Sequence, residues 1–165
     1  MAPLKVSIRP VGRGDLVRLN EIVNDGEVAR YLQVVPHVSM KSTRDFFLKC
    51  RKEKTLWYAV VVDGVVAGSV NLRRKPMKKS AHVADIGVAF AKEYWGMGLG
   101  GKAMDFLVKR ARKMRLKRVE LSVDAKNKRA IRLYRSRGFV VEGRLRKAVK
   151  SGGRYSDVLV MGRLI

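Results

Sequence analysis

The chain predicts an α/β or α+β layer domain built on a mixed, mostly antiparallel sheet flanked by helices. Two observations predict it. A strand and several helices are followed by consecutive β-branched runs joined by a tight turn, and the rest reads strand, helix, strand, helix, strand. The chain has 165 residues and 47% hydrophobic content, which suits one domain over 1–165 with a real core and excludes a disordered basic tail.

Lys5 to Arg9 alternates, with Val6 and Ile8 on one face, and reads as a strand. Leu16, Leu19, Ile22 and Val23 recur at helical spacing, with Asp15 placed as an N-cap. Asn24-Asp25-Gly26 breaks that helix. Glu27 to Leu32 reads as a short second helix, stopped before Pro36. Thr43 to Lys54 reads as a third, with Phe46, Phe47 and Cys50 on its apolar side. Trp57 to Val62 and Val65 to Leu72 are strands joined by Asp63-Gly64, a pair suited to a turn with two positive φ angles. Lys75 to Lys79 is a basic loop. Val83 to Phe90 is a strand, with Ile86, Val88 and Phe90 on one face and Asp85, Gly87 and Ala89 on the other. Gly100 to Met114 is a long amphipathic helix. Val119, Leu121 and Val123 mark a half-buried strand. Asn127 to Arg137 is a helix that stops at Gly138. Phe139 to Val141 and Ser156 to Leu164 supply the last strands.

Lys and Arg number 37 against 14 Asp and Glu, a formal net charge of +23. Such a field attracts polyanions: nucleic acid, or a phosphorylated cofactor. It equally describes a solvated basic surface. The single cysteine, Cys50, excludes an intrachain disulfide and fits a reducing compartment. The first ten residues have no signal-peptide core, and no apolar run is long enough to cross a bilayer. A soluble cytoplasmic protein is expected. His37, His82 and Cys50 lack metal-ligand spacing and read as structural or surface residues.

The most informative segment is Tyr94-Trp95-Gly96-Met97-Gly98-Leu99-Gly100-Gly101, between a strand and the long helix. Glycines there let backbone approach a ligand, and the helix start offers unpaired N–H groups and a positive dipole end. Together these make a phosphate or pyrophosphate cradle. A nucleoside-triphosphate loop is excluded because Gly101-Lys102 is followed by Ala103. A dinucleotide fold is excluded because four strands precede the loop.

With Trp95 in the first place and Gly98 and Gly100 as its glycines, this loop resembles the Q/R-x-x-G-x-G/A signature of the GNAT superfamily of N-acetyltransferases. Asn127, Ala130, Leu133, Tyr134, Gly138 and Phe139 resemble the family's N-x-x-A-x-x-L-Y-x-x-x-G-F pattern. Asn24 to Leu32 is similar to the branch that acetylates ribosomal-protein N-termini. The resemblance covers most of the chain. It departs at Trp95, where the family has Gln or Arg, and that departure removes a side chain that often braces the loop.

The resemblance implies acetyl-CoA as co-substrate, no metal, and a primary amine as acceptor. A protein N-terminal amine is expected first. A lysine side chain or small amine is the alternative, and an inactive nucleic-acid-binding module a third reading. It implies that Trp95, Gly96, Met97, Gly98, Leu99, Gly100 and Gly101 hold the pyrophosphate. The backbone of Val88, Ala89 and Phe90 would pair with pantetheine, and Asn127 would bond the pantetheine arm or cap its helix. Tyr134 would serve the departing sulfur, or else pack on the sheet. Asp85 would act on the amine through water, or else pair with a surface lysine; Glu27 is a weaker candidate base. Lys126, Lys128, Arg129 and Arg132 would hold the 3′-phosphate or form a solvated face. A polyamine acceptor would be repelled by the net charge unless Asp25, Glu27 and Asp85 make a local acidic pocket.

Overall fold

The computed structural model describes residues 3–32 and 37–165. Among them, seven strands join in the order β1-β2-β3-β4-β5-β7-β6: β1 Val6–Pro10, β2 Leu56–Val62, β3 Val65–Arg74, β4 Val83–Phe90, β5 Arg118–Asp124, β6 Val140–Ser151 and β7 Arg154–Leu164. The β4–β5 pair is parallel; β1–β2, β2–β3, β5–β7 and β6–β7 are antiparallel. The helices are α1 Leu16–Asn24, α2 Gly26–Ala29, α3 Met40–Lys52, α4 Leu99–Lys113 and α5 Lys128–Ser136. The expected mixed, mostly antiparallel α/β architecture is what forms. The chain divides into two compact units: Met1–Arg73 with Gly87–Ala103, and Arg74–Ile86 with Met104–Ile165.

In the first unit, Asp63 and Gly64 both take positive φ, 47° and 84°, and close the β2–β3 hairpin. Leu19, Ile22 and Val28 of the helices pack with Ala59, Val61, Val66 and Ala91. Each large aliphatic side chain buried there contributes about 1.5–3 kcal/mol.

Asp15 does not cap α1. It is already in helical conformation at the end of a 3₁₀ turn, so its carboxylate cannot turn back onto the helix amides. Instead Arg9 donates to it twice, at 2.7 and 2.9 Å, and the Gly12 N–H donates at 2.8 Å. The Arg9 bonds hold the buried Asp15 carboxyl below the usual aspartate range.

Helix α3 begins at Met40, not Thr43, because the Ser39 hydroxyl accepts from the Ser42 N–H at 3.0 Å and starts the helix early. Phe47 and Cys50 are buried, but Phe46 is exposed, a departure from the expected face. Helix α2 spans only Gly26–Ala29, with Asp25 accepting from the Glu27 and Val28 N–H groups. The expected stop at Pro36 lies outside the described residues.

In the second unit, β5 alternates as expected. Asn127 caps α5 by accepting from the Ala130 N–H at 3.1 Å, and Gly138 ends it at φ 79°. The C-terminal hairpin is longer than the sequence indicates. Strand β6 runs from Val140 to Ser151 and turns through Gly152-Gly153 into β7. Most of β6 is exposed and its register shifts twice, so it carries no two-residue alternation to read.

Candidate active site

The glycine loop is built from both its ends. Strand β4 finishes at Phe90, and the Ala91 N–H then bonds the Ala67 carbonyl at 2.9 Å. This close approach requires Gly68, because a Cβ there would stand 2.4 Å from the Ala89 oxygen. A 3₁₀ turn, Lys92–Tyr94, delivers the chain to Trp95. The Trp95 indole N–H donates to the Phe90 carbonyl at 2.9 Å, and its ring packs against the first unit's core. The expected loss of a brace is therefore corrected: the indole ties the loop to the strand that feeds it.

Gly96 and Gly98 take φ of 78° and 75°, a region that L side chains rarely adopt. A Cβ built at either would meet nothing within 4 Å, so the space beside the loop is open. Met97 is exposed, whereas Leu99 is buried against Val62 and Ala67 and anchors the start of α4. Gly101 is buried and Gly100 partly so. Two left-handed glycines lead into a 15-residue helix whose first-turn N–H groups have no acceptor within the helix, an arrangement that fits a pyrophosphate.

The first unit also holds a cavity of about 720 Å³, within the range of small-molecule sites. Val88 and Ala89 form one wall, and Leu19, Val23, Leu32, Val38, Phe46 and Trp57 form most of the rest. Gly87, Ser39, Ser42, Thr43, Ser69, Asn71 and His37 also line it. The Asn71 amide lies against Gly87 where a Cβ would stand 2.4 Å from its nitrogen. Asn20 and Asn24 of α1 both donate to the Val38 carbonyl at 2.9 Å, and the Val38 N–H donates to Asn24 at 2.8 Å. Those bonds fix the His37–Ser39 edge. None of Asn20, Asn24, Phe46, Trp57 and Asn71 stands out in the sequence as a site residue, because only long-range pairing gathers them. His37, read as structural or surface, lies on the cavity wall.

The second unit holds Asn127, Tyr134 and Asp85. Tyr134 is 8% exposed, its ring centroid is 6.1 Å from that of Phe139, and burial pushes its phenol up to about 12. The Asn127 side chain is the α5 cap. Asp85 stands opposite Glu120 in the parallel β4–β5 register. Lys75 is 3.9 Å from Asp85 and pairs closely with Glu120, which also accepts from Arg118 at 2.9 Å. The alternative surface-lysine partner of Asp85 is thus present. Glu27, in the first unit, is exposed and 3.7 Å from Lys92. Lys126, Lys128, Arg129 and Arg132 are exposed. His82 is exposed; Cys50 is buried, and burial pushes its thiol up. Among the described residues no group of three or more His, Cys, Asp or Glu is placed to hold a metal, and no helix is long and apolar enough to cross a membrane.

Comparison with known proteins agrees with the geometry. Residues 20–139 match the model of the acetyltransferase (GNAT) family. Spermidine N(1)-acetyltransferase of Escherichia coli is 31% identical over 166 residues, covering 94% of this chain and 84% of that protein. An L-amino acid N-acetyltransferase of the same organism is 29% identical over 104 residues, covering 62% of this chain and 64% of that one. The crystal structure of ribosomal-protein-alanine N-acetyltransferase from Brucella melitensis superposes with a TM-score of 0.87 at 24% identity, covering 96% of this chain and 99% of that one. With the glycine loop, the capped helix carrying Tyr134 and the mixed sheet in place, the chain belongs to the GNAT family of acetyl-CoA-dependent N-acetyltransferases.

Proposed function

We propose that the protein acetylates a small primary amine, held in the cavity bounded by Val88 and Ala89. The observation that carries this is the cavity itself: about 720 Å³, of a size to enclose a small molecule. The relatives' named substrates, spermidine and amino acids, favour the small amine over the protein N-terminus expected first and over a nucleic-acid partner.

Acetyl-CoA, when bound, supplies the thioester carbon that an amine can attack. The loop from Trp95 to Gly101 holds the pyrophosphate through backbone N–H groups, and the Val88–Phe90 backbone positions the pantetheine arm. Asn127 orients that arm in addition to capping α5. Tyr134 retains its proton at neutral pH and donates a hydrogen bond toward the sulfur. A phenol near 12 is a weaker acid than a thiol near ~8.5, so its contribution is stabilisation of negative charge on sulfur more than complete proton transfer. An alkylammonium near ~10.4 is neutral in about one molecule in 2,500 at pH 7, so proton removal is a large part of the barrier. Asp85 is the proposed base, acting through water.

The test measures coenzyme A release with acetyl-CoA and, separately, small primary amines and peptides with free α-amines. Small amines are expected to support turnover well above peptides. Faster turnover with peptides would return the reading to a protein N-terminus.

A further inference from the structure

We infer that the acceptor is a primary monoamine with an uncharged, apolar, ring-bearing body, and that polyamines and free amino acids are poor substrates. The inference rests on the cavity being the acceptor site. Among the described residues, its lining includes no Asp, Glu, Lys or Arg.

A polyamine brings further ammonium groups besides the one that reacts. Taking these out of water without a carboxylate partner is costly. The acidic groups considered for such a role are not among the cavity's described lining residues, and each has a lysine near it: Asp25 and Glu27 share Lys92 at 3.7 Å, and Asp85 lies 3.9 Å from Lys75. The net charge of +23 opposes a polycation further. A free amino acid has the reverse problem, since among the described lining residues its carboxylate meets no Lys or Arg, and His37 is the one side chain there that can carry a positive charge.

The walls favour a different body. Phe46 is 43% exposed although it lines the cavity, and it meets Trp57 edge-on with centroids 4.9 Å apart. Such a pair offers ring surface that an apolar ligand removes from water. Three of the lining hydroxyls are engaged within the protein: Ser39 with Ser42 at 2.9 Å, and Thr43, which accepts from Asn20 at 2.9 Å. In the reaction the amine nitrogen bonds to the thioester carbonyl carbon and the C–S bond breaks. One amine proton is lost and the sulfur gains one, giving the N-acetyl amine and coenzyme A.

The test compares kcat/KM for 2-phenylethylamine, L-phenylalanine and spermidine at saturating acetyl-CoA, with calorimetry of acetyl-CoA binding alongside. The first two share a ring and differ by the carboxylate. 2-Phenylethylamine is expected to exceed both others by about 100-fold. Ser42→Asp adds a carboxylate to the lining at the third residue of α3, where an acid suits the first turn. It is expected to raise the spermidine to 2-phenylethylamine ratio about 10-fold. Equal or better turnover of spermidine or L-phenylalanine by the parent overturns the inference and leaves small-amine acetylation standing. Acetyl-CoA binding without turnover of any of the three overturns it too. An unchanged ratio in Ser42→Asp removes the cavity as the place where the amine's body is read. If acetyl-CoA gives no binding heat and no amine turns over, the reading of the site as an acetyl-transfer centre fails with it.

Discussion

Tyr134 stays protonated through neutral pH because burial lifts its phenol to about 12. Tyr134→Phe keeps the ring against Phe139 and removes only the hydroxyl. Its kcat and kcat/KM are expected to fall together by about 100-fold, with acetyl-CoA affinity near that of the parent. Unchanged single-turnover rates would assign the sulfur to water or another donor. Asp85 tests differently, because Lys75 is near it. If it removes the amine proton through water, Asp85→Asn loses about 100-fold at pH 7, and the loss shrinks as pH approaches the amine's own pKa. A pH-independent loss would mark a structural ion pair instead. Asp15 gives a stability prediction. Its folded pKa lies below the ordinary aspartate value, because Arg9 bonds the carboxylate. Its contribution is therefore present above about pH 4 and is lost as pH falls through the folded value. Asp15→Asn is expected to cost about 2 kcal/mol at pH 7, with the difference in Tm from the parent narrowing in acid. Local chemistry was legible at this scale: Asn127 as a cap, Gly138 as a stop and Asp63-Gly64 as a turn. Asp15 was not, because the preference of Asp for helix starts gives no sign that Arg9 would claim the carboxylate first.

The glycine loop and the start of α4 act as one element. Gly98→Val forces a β-branched residue to a φ of 75°, at a strain of about 1–3 kcal/mol, and puts a side chain into the open space. Acetyl-CoA binding is expected to disappear by calorimetry while circular dichroism stays that of the parent. Trp95→Phe deletes the bond to the Phe90 carbonyl but keeps an aromatic ring near the core. It is expected to weaken acetyl-CoA several-fold without abolishing binding; full affinity would show that the indole bond does not order the loop. The loop's place between strand and helix was readable because glycine spacing and helical periodicity are both local. The cavity walls were not. Ser39 starts α3 early, Phe46 stands exposed on that helix, and Asn20 and Asn24 reach across to Val38. Gly68 matters only because Ala89 and Phe90 pass close to it. The full length of the β6–β7 hairpin is illegible for another reason: its exposed, basic, register-shifted first strand has no buried face to impose a period.

Across the whole molecule, the excess of Lys and Arg bears on substrate choice more than on fold. Charges further apart than about 8 Å are largely screened at physiological salt, so the net +23 acts mainly on the approach of ligands. It favours an anionic phosphorylated co-substrate and disfavours a polycation. Family membership was legible from the paired glycine-loop and Asn127–Phe139 patterns, because both are short-range constellations that chemistry restricts. Acceptor class was not, since it depends on which side chains meet inside a cavity. The most direct measurement is a competition reaction with acetyl-CoA, a mixture of small primary amines and a mixture of peptides in one vessel, with products followed by mass spectrometry. Acetylated small amines are expected to accumulate first, in the parent and not in Gly98→Val. Acetylated peptides ahead of every small amine, or equal product from Gly98→Val, would contradict that expectation.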